Sequence, residues 1–294
     1  MVNTRILLDK FEYLEPRTID EAVQYLEAYG DKAKLIAGGT DLLVQMKMEK
    51  VHPRYLIHIS RIPSLRYLIE EKGLRIGSLT LFREIEKSQL IKRKYTAFFE
   101  AARSVSSVQI KTMGTIGGNL CNGSPAADAV PPLLVFESRV RTMNGKEEKT
   151  LPLDHFFVGP GQTILGSNQL LTEIEVPEVS GQVGSAFLKM GRVHADLSKV
   201  SVAVAITRRG DVCEDCKIAL GAVAKIPLRV KKSEAILKGK RVTDLLIARA
   251  SQEVTREIEP ITDVRSTASY RKEVARVMTR DAINLAWERA KGKP

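Results

Sequence analysis

Apolar positions along the chain change their period several times, and each change marks an element. Ala22, Val23 and Leu26 share one helical face behind Thr18 and Glu21, which are spaced as a capping box, and Gly30 supplies the stop. Leu35, Ile36 and Ala37 then predict a short strand running into Gly38 and Gly39, after which Thr40 and Asp41 open a second helical stretch, LLVQMKM. The order is strand, glycine pair, helix start. From about Tyr55 the pattern predicts short strands at Tyr55 to Ile59 and Leu74 to Ile76, with helices beginning near Thr80 and Lys94. Asn144-Gly145 is a dipeptide that favours a type I′ hairpin turn, placing Arg139 to Thr142 and Lys149 to Leu151 on paired strands. Past Pro177, where a domain boundary is expected, come strands at Ser185 to Met190, Val200 to Ile206 and Cys216 to Ala222, then three helical segments.

No apolar run reaches the roughly 18 residues of a membrane span; Ala129 to Phe136 and Val200 to Ile206 suit buried core elements. The first residues, MVNTRILLDKFEYLEP, show no secretory h-region, so a cytoplasmic location is expected. With 294 residues, 44% hydrophobic and 28% charged, the composition excludes wholesale disorder, coiled coil and collagen, and suggests two domains or one large one with appendages.

Cys121, Cys213 and Cys216 are too few for a disulfide framework or for the four thiolates of a usual iron–sulfur cluster. The CxxC at Cys213 and Cys216 lacks a second CxxC or a spaced His pair, which predicts two turn cysteines and no metal. His52, His58, His155 and His194 show no ligand spacing either. The net charge is +11, and residues 225–294 carry 17 basic against 9 acidic residues, an excess of +8. Those charges are spread through helical patterns such as Tyr270 to Arg289 without interleaved aromatics, so a solvated face or an acidic partner is expected rather than nucleic acid.

Two glycine-bearing segments carry the candidate chemistry: Ala37-Gly38-Gly39-Thr40-Asp41 and Gly114-Thr115-Ile116-Gly117-Gly118-Asn119. Successive amides without a Cβ in the way form a concave anion site, and neither segment is a Walker loop, so a dinucleotide pyrophosphate suits them better than a triphosphate. Either alone reads as plain turn chemistry; the pair does not. The second continues as LCNGSPAAD, a stretch of poor helix and strand propensity ending in Asp128, which reads as a helix cap or as an acceptor for a ribose hydroxyl, the cap being favoured. Asn122-Gly123-Ser124 is a formal glycosylation sequon without a secretory context, and Ser124 lies in no GxSxG elbow.

AGGTDLL at Ala37 to Leu43 and GTIGGNLCNGSPAADAVPPLL at Gly114 to Leu134 resemble the two FAD-binding loops of the flavoprotein (medium) subunits of molybdenum hydroxylases, a family that includes the carbon monoxide dehydrogenase medium subunit and the xanthine dehydrogenase FAD domain. LLTEIEVP from Leu170, Lys189 to Arg192 with Asp196 and VSVAVA, IALGAVAKIP from Ile218, and DVRSTASYR from Asp263 follow in the family's order, so the resemblance spans essentially the whole chain. It implies an α+β architecture: an FAD-binding fold of the vanillyl-alcohol-oxidase-like (PCMH) type in two α/β subdomains, 1–54 and 55–177, then a C-terminal domain, 178–294, of a small antiparallel sheet and a helical bundle.

It further implies FAD bound non-covalently, with Ala37, Gly38, Gly39, Thr40, Asp41 and Leu42 in the first loop and Thr115, Gly117, Gly118 and Asn119 in the second. Asp128 would hold the ribose or adenine side, Leu171 would pack near the flavin, and Lys189 would lie near the isoalloxazine ring. No catalytic residue and no metal ligand is implied. The partners implied are a large molybdenum-cofactor subunit and a small iron–sulfur subunit, this chain passing electrons from the clusters to an external acceptor. Two departures stand out. Lys111-Thr112 replaces an Arg-Asn common before the glycine loop, and Leu197-Ser198 follows the aspartate where relatives often have an aromatic residue or Ala. The cysteine count argues against the relatives with an inserted four-iron cluster. The rival readings are a stand-alone FAD-dependent reductase of the same broad fold and, from another class, a basic nucleic-acid-binding protein.

Overall fold

The computed structural model describes residues 7, 9–145, 147–193 and 195–291; the N-terminal residues 1–6 and 8, and His194, lie outside the described residues. A small parallel sheet opens the fold. β1 (Glu12–Leu14) and β2 (Ala33–Ile36) flank β3 (Tyr55–His58), with α1 (Ile19–Tyr29) and the six-residue α2 (Leu42–Lys47) between the strands. Thr18 caps α1 by accepting from the Glu21 amide at 3.1 Å. The Glu21 carboxylate accepts from the Arg17 amide at 2.7 Å, one residue outside the expected capping box. Ala22 and Leu26 seal α1 onto Ile57 and Ile59, whose burial stabilises the unit by the usual ~1.5–3 kcal/mol per large apolar side chain.

The second unit is an antiparallel sheet in the order β4 (Leu68–Glu70), β5 (Gly73–Gly77), β10, β6 (Arg139–Asn144), β7 (Glu147–Pro152), with β10 (Leu170–Pro177) central. The expected hairpin is present, with Arg139 opposite Pro152 and Thr142 opposite Lys149; its last pair is Asn144 with Glu147, which moves Asn144 from the turn to the strand end. Between β5 and β6 the chain forms six short helices, α3 (Phe82–Lys87), α4 (Gln89–Lys94), α5 (Thr96–Ser104), α6 (Val108–Met113), α7 (Ile116–Cys121) and α8 (Val130–Val135), and between β7 and β10 a small ribbon, β8 (Phe157–Gly159) with β9 (Gln162–Thr163). Helix α7 opens the glycine-rich stretch, and its last two residues, Leu120 and Cys121, begin the segment of poor helix propensity. Tertiary bonds override propensity there: Thr115 caps the helix by accepting from Gly118, and the Ile116 and Gly117 amides donate to Thr80 and Ser78 carbonyls at 2.9 and 2.8 Å.

The C-terminal unit is a meander of β11 (Gln182–Met190), β12 (Val200–Arg209) and β13 (Val212–Gly221), extended by the two-residue strands β14 (Leu228–Arg229) and β15 (Lys240–Arg241), and covered on one face by α9 (Lys231–Leu237), α10 (Asp244–Glu257) and α11 (Ala268–Arg289). Its other face closes the core of the second unit, where Phe187, Ala203 and Ala219 pack with residues of α5 and α8. Cys213 and Cys216 are not turn residues. Cys216 pairs with Ile206 and Cys213 with Arg208, and a bulge between Thr207 and Arg208 brings both onto the inner face of β13, buried as free thiols in the core under the helices. Arg271, at 1% exposure, donates to the carbonyls of Lys199 and Ala222 and to Asp263 Oδ1, tying α11 to the start of β12 and the end of β13.

Much of the C-terminal charge is matched locally, by Arg256 with Glu253, Arg276 with Glu273, Arg280 with Asp281 and Lys291 with Glu288. Among the described residues, no helix is long and apolar enough to cross a membrane and no group of three or more His, Cys, Asp or Glu side chains is placed to hold a metal ion.

Candidate functional site: a cleft between two glycine loops

The two glycine loops are far apart in sequence and adjacent in space. Strand β2 ends at Ile36 and delivers residues 37–41, while the 114–119 segment reaches the same place because Leu81 and Thr115 form an isolated β-bridge beside the β5–α3 turn. The contact is tight: a Cβ on Gly38 would stand 1.9 Å from the Met113 carbonyl oxygen. Between the loops runs a cleft of about 480 Å³. Its lining includes Ala37, Gly38, Gly39, Thr40, Asp41 and Leu42 from the first loop and Thr115, Gly117, Gly118 and Asn119 from the second, with Leu171 of β10 in the wall. Sequence reasoning missed Ser78, Phe82, Val105, Ile110 and Leu165, the last four of which add to the apolar wall of the cleft. They belong to no motif, and only the closing of the β5–α3 turn onto the second loop brings the first two of them here.

What the loops offer differs. In the first, Gly39 has φ +69°, and among the described residues the amides of Gly38, Gly39, Thr40 and Asp41 donate to no backbone carbonyl. Successive free amides around a left-handed residue form a concave anion nest. In the second, the expected free amides are engaged within the protein: Ile116, Gly117, Gly118 and Asn119 donate to Thr80, Ser78, Thr115 Oγ1 and the Thr115 carbonyl. That loop presents side chains and bare surface instead. The Thr115 hydroxyl, having accepted from Gly118, keeps its own proton to donate, and Asn119 Oδ1 is buried without a partner. Gly118 faces the cleft, where a Cβ would meet nothing but Thr115 Oγ1 at 2.9 Å.

Asp128 and Lys189 are brought together, but outside the lining. Lys189 Nζ donates to Asp128 Oδ2 at 2.5 Å and to the Ser104 carbonyl, next to Val105 of the cleft wall, and both side chains are buried. Asp128 does not cap α8, whose first turn has no side-chain cap, so the favoured reading of this carboxylate is corrected: the buried ammonium is a stronger partner for it than a helix amide. Burial pushes Asp128 up to about 6 from an ordinary 3.8, against the opposing pull of Lys189. Burial likewise raises Asp41, while the bond from Thr40 pulls it down. Lys111, one of the departures, is the buried residue of α6 and is bonded to Glu86 at 2.7 Å and to the Arg103 carbonyl.

A pH dependence follows from Asp128. The folded protein holds this proton more tightly than the unfolded chain, so the stability it contributes is complete below about pH 4 and is lost as pH rises through about 6. Two units correspond to roughly 3 kcal/mol. Asp128→Asn keeps the shape and cannot titrate, so the wild type's stability measured against this variant should decline between pH 4 and pH 7 and then level off. A difference that grows over that range would show that the ion pair outweighs burial.

Residues 9–179 match the family model described as the FAD binding domain in molybdopterin dehydrogenase, and residues 185–286 match that of the CO dehydrogenase flavoprotein C-terminal domain. The carbon monoxide dehydrogenase medium chain of Hydrogenophaga pseudoflava is 33% identical over 281 residues, covering 95% of this chain and 98% of its own. The glyceraldehyde dehydrogenase medium chain of Sulfolobus acidocaldarius is 31% identical over 275 residues, covering 93% and 97%. A solved chain of the Hydrogenophaga pseudoflava carbon monoxide dehydrogenase lacking the Mo-pyranopterin moiety of its cofactor superposes with a TM-score of 0.94, over 97% of this chain and 99% of that one. These likenesses run through both halves and favour neither the stand-alone reductase nor the nucleic-acid binder. The chain belongs to the family defined by the FAD binding domain in molybdopterin dehydrogenase, followed by the CO dehydrogenase flavoprotein C-terminal domain.

Proposed function

We propose that this chain holds FAD in the cleft between its glycine loops and serves as the electron-transfer subunit of a molybdenum hydroxylase, between the iron–sulfur clusters of a small partner and an external acceptor. The organic substrate is turned over on a large molybdenum-cofactor subunit. The observation that carries the reading is the row of amides from Gly38 to Asp41, without a backbone acceptor among the described residues, in a loop that lines the cleft opposite Gly118. FAD, when bound, supplies a carrier that accepts electrons singly and gives them up in pairs.

The chain's own residues bind and orient. The first-loop amides hold the pyrophosphate, the Thr115 hydroxyl and the Asn119 carboxamide address it from the other side, Ala37 and Leu42 close the loop around it, Gly118 leaves it room, Gly117 lets the second loop close onto Ser78, and Leu171 packs near the flavin. The Asp128–Lys189 ion pair stands behind the wall. For contact with the ribose or adenine and with the isoalloxazine ring, as the resemblance implies, that pair must open. The divisions 1–54, 55–177 and 178–294 are the corresponding domains. The cytoplasm is the proposed compartment.

The isolated, FAD-loaded chain should oxidise no organic substrate, and its flavin should be reduced when the substrate-reduced iron–sulfur and molybdenum subunits are added. Flavin absorbance reads both arms. Substrate oxidation by the isolated chain would favour a stand-alone oxidoreductase.

A further inference from the structure

Three side chains that line the cleft form a directed chain of hydrogen bonds between the loops. Gln45 Nε2 donates to Asn122 Oδ1 at 3.1 Å, and Asn122 Nδ2 donates to Asp41 Oδ1 at 3.2 Å. Thr40 Oγ1 donates to the other oxygen of the same carboxylate at 3.4 Å. Gln45 and Asp41 belong to α2 and the first loop, whereas Asn122 closes α7 of the second, with its own amide bonded to the Gly118 carbonyl. A single carboxamide is needed at position 122 because it must accept from one residue and donate to another.

We propose that Asp41, Asn122 and Gln45 form a latch that clamps the two loops across the cleft and sets how long FAD stays bound. It rests on the FAD reading above and goes beyond it by assigning retention to residues that act through the loops. They are positioning residues: removing the latch lets the loops part without removing the amides that face the cofactor.

Asn122→Asp keeps the shape and the acceptor for Gln45 but sets a carboxylate against Asp41. FAD release, followed by the rise of free-flavin fluorescence on large dilution into buffer, should accelerate about tenfold or more, the effect of losing one hydrogen bond to a charged group. Adding Asp41→Asn reverses the polarity, since the new carboxamide at position 41 donates to the new carboxylate at position 122 while Gln45 still donates to it. The double variant should return to within about threefold of the wild-type rate, a rescue that nonspecific loosening would not give. Hydrogen exchange on the flavin-free chain reads the latch without the cofactor: amides of residues 38–43 and 118–122 should exchange faster in the single variant and be protected again in the double. Unchanged release and exchange in Asn122→Asp, or a double variant no better than the single, would overturn the latch. A wild type that binds no FAD overturns the cleft reading and the retention claim with it, and the exchange measurement separates that result from an intact latch.

Discussion

Gly38→Val should yield a protein that retains little FAD and melts several degrees below the wild type. A Cβ at this position would lie 1.9 Å from the Met113 carbonyl oxygen, 2.5 Å from its carbon and 3.1 Å from the Gly114 nitrogen. All three are backbone atoms, so no rotamer change relieves the overlap, and the two loops must separate. Forcing apart a packed contact costs about 1–3 kcal/mol and here acts on backbone, which puts the expected loss at the upper end and the fall in Tm at roughly 5–10 °C. Because the same separation opens the cleft, FAD content should fall with Tm. A variant with normal Tm and full flavin would mean that the loops do not meet as described. Gly38 is thus required by the protein itself, whatever the cleft binds.

The legibility of the sequence varied with how local each cause was. The Thr18 cap and the Gly30 stop, which adopts φ +49°, are properties of a few adjacent residues and stand where the pattern put them. So do the two glycine loops. Helix α7 was hidden because Gly117, Gly118 and Asn119 disfavour a helix, and what secures it are the carbonyls of Ser78 and Thr80, some forty residues upstream. The same distance hides the assignment of amides: nothing in GTIGGN says that its N–H groups are already bonded, so equal roles for the two loops were expected, whereas the amides of the second loop are bonded within the protein. Cys213 and Cys216 read as turn residues because i, i+3 is a turn spacing, and a strand cannot place both on one face without the bulge. Asn122 shows locally nothing but a sequon; its partners Asp41 and Gln45 lie 81 and 77 positions away.

Gly118 provides the sharpest contrast with Gly38. Its Cα faces the cleft, and the one protein atom a Cβ would crowd is Thr115 Oγ1, the cap of α7. Loss of that cap costs about 1 kcal/mol, and replacing glycine within a helix recovers a similar amount, so Gly118→Leu should fold with a Tm close to that of the wild type. Its side chain would instead occupy the space between the first-loop amides and the second-loop wall, where the pyrophosphate is proposed to sit. The direct measurement is a titration of flavin-free protein with FAD, followed by quenching of flavin fluorescence, on wild type and Gly118→Leu in parallel with thermal melts. The account predicts saturation at one FAD per chain for the wild type and binding weakened about 100-fold or more for a folded Gly118→Leu; equal affinity in the two proteins would contradict it.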